Sequence, residues 1–372
     1  MKKKCFVFVS NDLTFDQRVS KICNSLNHGN YAVNLIGVRK KDSASLNRAY
    51  ETERLRVLFS RGVLFYASLN VRLFFFLLFR KVDLVWCNDL DTLLPAVILK
   101  RIKGYTLVYD SHEYYTEAEG LTGRTIVKAI WQKIEKYCVP RTDLFLTVNE
   151  SIAAIYKKAY NKQVLVLRNM PVQSISEVED EYILPKEIIK PFVLLQGAYI
   201  DPDRGGMELI EAFQWVTSKQ LLVVGSGRDL KNMKRRCEEL ELREKVIFID
   251  RLPPEELRIL TKQAWMGVSL DKPIHLNYTL SLPNKIFDYI HARIPVIVSP
   301  LVELKKIVAH FNIGVILDEV TPLKIAEGIN SVSEIQREKW TSNTTIAKKE
   351  LHWQRDMDVV LASLKSITNA DS

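Results

Sequence analysis

Short unbroken apolar runs alternate with longer segments in which apolar residues recur at helical spacing. Lys4–Ser10, Tyr31–Val38, Asp83–Cys87, Tyr105–Tyr109, Asp143–Val148 and Val164–Leu167 read as strands buried on both faces. Between the first two, Val19, Ile22, Cys23 and Leu26 share one helical face, and Gly29 closes that helix. A further helix is predicted around Ile126–Val139. Strand, loop, helix and strand within fewer than 40 residues open a doubly wound α/β domain. The second half restarts the alternation with strands at Phe192–Gln196, Leu221–Val224, Val246–Ile249, Met266–Leu270, Val296–Val298 and Gly314–Leu317. Helices are predicted at Met207–Val216 and Pro322–Ile335. Val172–Lys190, acidic, Pro-interrupted and aperiodic, reads as the linker between the halves.

Three stretches carry more than an element. Leu351-His352-Trp353 opens a last helix with Met357, Val360, Leu361 and Leu364 at helical spacing. Val63–Phe79 contains the run Leu73–Phe79, yet Asn70 and Arg72 interrupt it, and it falls short of the roughly 20 apolar residues that a spanning helix needs. It reads either as a helix with a wide core-facing stripe or as a basic amphipathic segment lying on a membrane face. Asn277–Pro300 places Pro283 and Asn284 at a helix start, Ile286, Phe287 and Ile290 on its apolar face, and Pro295 before the strand Val296–Val298.

At 372 residues the chain accommodates two domains, and its 47 % apolar and 26 % charged content is that of a globular protein. Five isolated cysteines without C-x-x-C spacing argue against a disulfide framework or zinc site. MKKK followed by CFVFVS is too short for a signal segment. Together these point to the cytoplasm. The net charge of +9 is uneven: Arg39 to Lys81 holds ten Lys/Arg against three acids. No nucleic-acid motif accompanies that patch, which makes an anionic membrane surface, met through Arg61–Lys81, the better partner.

Candidate chemistry collects at strand ends, where open α/β sheets bind ligands. Asn11 and Asp12 lie in the loop Asn11–Asp16 after the first strand. Asp89 and Asp91 match a metal-holding D-x-D superficially but more simply describe a helix N-terminus with Asp as cap. Tyr105–Tyr109 delivers Asp110, Ser111, His112 and Glu113; His112 can donate to a sugar hydroxyl and Glu113 can orient an acceptor. In the second half, Gly197 ends a strand before a loop with Arg204, and Gly225-Ser226-Gly227 suggests close approach of backbone to a ligand. Lys285 sits in a helix first turn with Asp288 further along, a layout that fits a diphosphate at the helix start and a carboxylate on ribose hydroxyls. Periodicity alone is equally compatible with an ordinary αβ unit carrying solvated charges.

The order of residues in Leu282–Val298, with Pro283-Asn284-Lys285, an aromatic, an acid and then a Pro-Val strand, resembles the donor-site helix of nucleotide-sugar glycosyltransferases of the GT-B fold. It is most similar to the retaining family 4, the glycosyl transferases group 1. Asp288 stands seven residues before Pro295, in the place of that family's Glu, and Leu280 occupies the place of its second acid eight residues earlier. The Asp110–Glu113 loop resembles the family loop whose His faces the donor sugar, and Asp16–Val19 resembles its first helix. The family often has an Arg after the first Gly of the Gly197 loop; here Ala198 stands there and Arg204 alone carries over.

The resemblance implies two Rossmann-like doubly wound domains facing each other across a cleft. The N-terminal acceptor-side domain spans 1–171, the linker 172–190, the nucleotide-sugar-binding domain 191–340, and the C-terminal helix crossing back to the first domain 341–372. It implies a UDP- or GDP-sugar donor, a glycan or lipid-linked glycan acceptor, retention of configuration, and no metal or other cofactor. Arg204, Lys285 and N–H groups near Asn284 then hold the diphosphate, with Gly197 beside it. With Leu280 in place of an acid, Asp271 or Asn277 supplies the sugar contact. That substitution leaves two alternatives open: a non-catalytic GT-B-like subunit, and a nucleotide-sugar epimerase of similar architecture.

Overall fold

The computed structural model describes residues 2–14, 16–41, 43–173, 182–189 and 191–370. Part of the expected linker (174–181 and 190) and position 15 of the first loop lie outside them. The chain divides into two compact units, Met1–Asn169 with Gln354–Ser372, and Met170–Trp353.

The first unit holds a seven-stranded sheet in the order β3-β2-β1-β4-β5-β6-β7. Its strands are β1 (Lys3–Phe8), β2 (Tyr31–Val38), β3 (Glu51–Leu55), β4 (Leu84–Asn88), β5 (Thr106–Ser111), β6 (Leu144–Thr147) and β7 (Leu165–Val166). All pair in parallel. The central strands β4, β5 and β6 are buried throughout, as their continuous apolar sequence requires. β3 has no such run: Glu51-Thr52-Glu53-Arg54-Leu55 is a polar edge strand, held by its pairing with β2. The last helix, Trp353–Ala370, brings its residues from Gln354 onward into this unit. Leu361 lies against Gly29, and Asp356 pairs with Arg168 at 3.1 Å. The preceding helix, Glu334–Glu350, stays in the second unit, so residues 341–353 separate from the helix that was expected to include them.

The second unit holds a six-stranded parallel sheet in the order β10-β9-β8-β11-β12-β13. The strands are β8 (Phe192–Gly197), β9 (Gln220–Gly225), β10 (Val246–Ile249), β11 (Met266–Ser269), β12 (Val296–Val298) and β13 (Gly314–Ile316). Alternation along β8 and β9 divides the core. Val193, Leu195, Leu221 and Val223 face one helix layer; Phe192, Leu194, Leu222 and Val224 face the other. The stretch expected as one helix over Pro322–Ile335 is two, Pro322–Asn330 and Glu334–Glu350, the second capped by Ser333.

Lys285–Ala292 is the helix that the Pro283-Asn284 start predicts. Ile286, Phe287 and Ile290 are buried beneath it, together with Tyr289. The Tyr289 hydroxyl lies 3.1 Å from the carbonyls of Leu194 in β8 and Val268 in β11, and accepts from the Gln196 N–H at 3.3 Å. One side chain thus ties the helix to two strands. Tyr289→Phe leaves buried polar groups without their partner, at a cost of about 1–3 kcal/mol to the second unit. Denaturant unfolding checks this; an unchanged midpoint means the hydroxyl contributes nothing.

Candidate active site

Each unit gathers its polar side chains where the strands end at their carboxyl edge. In the second unit β11 delivers Asp271, which is fully buried. The Arg204 guanidinium donates to its Oδ1, Lys285 Nζ stands 3.4 Å from Oδ2, and the Ser269 hydroxyl donates to Oδ2 at 3.1 Å. Burial alone would push this carboxyl up, but Lys285 and Arg204 more than offset it and hold Asp271 below the ordinary carboxylate range. Gly205 makes the arrangement possible. It adopts φ +70°, and a side chain there would overlap Leu270, so the loop folds tightly against the end of β11 and brings Arg204 to Asp271. The Arg204 guanidinium also lies 5.0 Å from the centre of the Tyr278 ring.

Two cations on one buried carboxylate leave a local excess of positive charge. Asn284 precedes the helix without a side-chain cap. The Ile286 and Phe287 N–H groups are taken by the Pro283 and Asn284 carbonyls, which leaves those of Asn284 and Lys285 for an anion. On the same helix Asp288 is exposed, and its Oδ2 accepts from buried Gln196 at 3.2 Å; Gln196 in turn accepts from Thr261 at 2.8 Å. Asp271, expected to contact sugar, is instead the anchor of the cations, while Asn277 is buried in the short helix Leu276–Thr279. The glycines of Gly225-Ser226-Gly227 make close approaches to backbone. Gly225 backs onto Gly197, and Gly227 onto Ile200. Gly197 also accepts from the Ser226 N–H at 3.4 Å.

In the first unit, the helix Gln17–His28 carries Arg18 on the same face as its buried Ile22 and Leu26. Arg18 forms a two-pronged pair with fully buried Asp110 (2.6 and 3.2 Å) and donates to the Leu167 carbonyl at 2.8 Å. Arg18 and His112 outweigh burial and hold Asp110 well below the usual carboxylate range. The backbone N–H of His112 donates to Asp89 at 2.9 Å, and its Nδ1 lies 3.2 Å from the same carboxylate. Nε2 lies 3.4 Å from Asp110 and 3.2 Å from Asn88 Oδ1, whose amide orientation is set by donation to the Phe8 carbonyl. Both ring nitrogens face acceptors, so the ring is fully satisfied only when both carry protons. Burial opposes that charge, but Asp89 and Asp110 prevail and raise the His112 pKa. The imidazole keeps 23 % exposure, enough for a hydroxyl to reach its edge.

Asp89 does not cap a helix, contrary to the simpler expectation; its carboxylate serves His112. Its backbone is strained, at φ 60° and ψ 165°, a region that non-glycine residues seldom occupy. Asp91 is buried beside it with Oδ1 unpartnered, and burial and Asp89 push its pKa up to about 7. Such a carboxyl can take or give a proton near neutrality. Asn11 donates to Asp16 at 2.8 Å, and Asp12 accepts from Thr14, Ser43 and Arg54, so both brace the first loop. The Glu113 carbonyl accepts from Ser111 at 2.7 Å. The clusters around Asp110 and Asp271 are those the Asp110–Glu113 loop and the Lys285 helix indicated. Arg18 was missed, and Asp89 was noticed only as a D-x-D or a cap; the signal for Arg18 was an Arg in line with Ile22 and Leu26.

Both units thus have the doubly wound architecture of the GT-B fold, with polar side chains at the strand ends. Solved structures agree over the whole chain. Sucrose-phosphate synthase from Thermosynechococcus elongatus is 15 % identical with a TM-score of 0.75, covering 100 % of both chains. HepE from Anabaena, in complex with UDP-glucose, is 13 % identical with a TM-score of 0.70, covering 98 % of this chain and 100 % of that one. WaaG, a glycosyltransferase involved in lipopolysaccharide biosynthesis, is 15 % identical with a TM-score of 0.66, covering 96 % and 98 %. No curated protein matches the sequence. Residues 185–347, within the second unit, match the family described as glycosyl transferases group 1. The match lies in the second unit, and it supports glycosyl transfer as the class of activity.

The raised His112 pKa has a signed consequence. Its contribution to stability is full below the unfolded-state value of about 6.5 and is lost as pH rises through the folded value. Asp89→Asn lowers the folded value and narrows that window. An NMR titration of the His112 imidazole checks this; an unshifted midpoint rules Asp89 out as its partner.

Proposed function

We propose that this protein transfers a sugar, with retention, from a UDP- or GDP-sugar to a glycan or lipid-linked glycan in cell-surface polysaccharide synthesis, on the cytoplasmic side of a membrane. The observation that carries the reading is the buried Asp271 holding Arg204 and Lys285 beside a helix start. Fixed cations with N–H groups are a receptor for a diphosphate and stabilise the charge that develops on the leaving group, so the reading needs no metal. Asp288, whose Oδ2 accepts from Gln196, accepts from ribose hydroxyls. In the first unit, His112 positions the donor sugar with its exposed ring edge and Glu113 orients the acceptor. HepE, solved with UDP and with UDP-glucose, supports the donor class.

One observation favours a second reading. Leu280 replaces the acid expected toward the transferred sugar, and Asp271, its nearest substitute, is committed to the cations. A non-catalytic subunit would retain the donor receptor and lack transfer.

Calorimetry with UDP and GDP separates the possibilities. We expect micromolar binding of one nucleotide, weakened about tenfold or more in Lys285→Ala and in Asp288→Ala. Release of nucleoside diphosphate from the matching donor only when acceptor is present then identifies a transferase. Binding without release identifies the subunit, and binding of neither nucleotide contradicts the donor assignment.

A further inference from the structure

The helix Gly62–Leu78 is predominantly apolar, with Arg72 its one charged residue. Its inner face buries Leu69, Leu73, Phe76 and Leu77. The outer face carries a further apolar row that is uncovered. Val63, Ala67, Val71, Phe75 and Phe79 recur every four residues, with Val71 55 %, Phe75 52 % and Phe79 80 % exposed. Among the described residues no helix is long and apolar enough to cross a membrane, so this one does not span.

The surface extends beyond that helix. Leu93–Lys103 packs against it and in turn against Thr125–Cys138. Right-handed crossovers place all three on one face of the sheet. Each exposes apolar residues one turn apart: Ile98 and Ile102 on the second helix, Ile126 and Ile130 on the third. The three helices carry one, three and three Lys or Arg respectively, of which Lys100 and Lys128 pair with Asp143 and Glu117, and their one acid, Glu135, is buried. A second copy of this chain would bring a like-charged face against it. An anionic surface with an apolar interior matches both its charge and its apolar face.

We propose that the outer surface of these three helices docks on an anionic lipid bilayer, with Val71, Phe75 and Phe79 entering the headgroup boundary and the surrounding Lys and Arg meeting lipid phosphates. The proposal rests on the reading of a membrane-linked acceptor, and it assigns the whole three-helix face rather than the Arg61–Lys81 segment alone.

Co-sedimentation of the full chain with phosphatidylcholine vesicles, with and without phosphatidylglycerol, tests it. Binding is expected for the anionic vesicles at low salt and is lost at high salt. The double variant Phe75→Ser/Phe79→Ser and the double variant Arg101→Gln/Lys133→Gln are each expected to weaken it about tenfold or more. Ile335→Ser, an exposed apolar residue of the second unit, leaves it unchanged. Absence of wild-type binding overturns the proposal, as does binding that the Phe75/Phe79 variant retains. A dimer that the same variant dissociates, without vesicle binding, makes the face a subunit interface and also overturns it. UDP and GDP binding is measured on the same samples. Nucleotide binding without vesicle binding defeats the docking surface alone; the converse defeats the donor reading alone.

Discussion

A carboxylate sealed from water needs a cation to keep it charged, and each unit meets that demand with an Arg from the segment following its first strand. Arg18 reaches Asp110 in one unit, and Arg204 reaches Asp271 in the other. Removing one partner of such a pair leaves a buried charge uncompensated, at a cost of about 3–5 kcal/mol. That cost fixes the geometry of whatever else touches the carboxylate. His112 stands beside Asp110, and Lys285 beside Asp271, each at 3.4 Å. The functional side chains are thereby oriented before any ligand arrives, which is what electrostatic stabilisation of a leaving group requires.

The two clusters differ in the charge they present. Around Asp271 two cations share one anion, so the site is short of negative charge and suits a diphosphate. Around His112 the carboxylates Asp89 and Asp110 face Arg18 and the imidazole, a balanced set suited to hydroxyls. Asp91, with a pKa near neutrality, adds a proton that can be exchanged there. Strain at Asp89 is consistent with this division, since its unusual backbone is what aims its carboxylate at His112.

Much of this was legible in the sequence because parallel strands buried on both faces read as unbroken apolar runs. β10 spans the residues its run marks, and Lys285 begins its helix where Pro283 and Asn284 announce it. β3 escaped because an edge strand is held by backbone pairing and needs no apolar side chains. Arg18, and the role of Asp89, escaped for a different reason. Their partners lie 92 and 23 residues away, and nothing local says which strand end will stand opposite. Asp271 shows the same limit: its chemistry was noticed, but whether it faces sugar or cations is decided by how Gly205 folds the loop against Leu270. The outer face of Gly62–Leu78 could not be assigned from composition, because both faces are apolar and only packing distinguishes them.

The central claim is that Arg204 and Lys285, held by Asp271, form a receptor for a diphosphate. Its most direct test is a calorimetric comparison of whichever of UDP and GDP binds with the corresponding nucleoside. The account predicts that removing the diphosphate weakens binding about a hundredfold or more, since two charge-assisted contacts are lost. A nucleoside that binds as tightly as its diphosphate would contradict it.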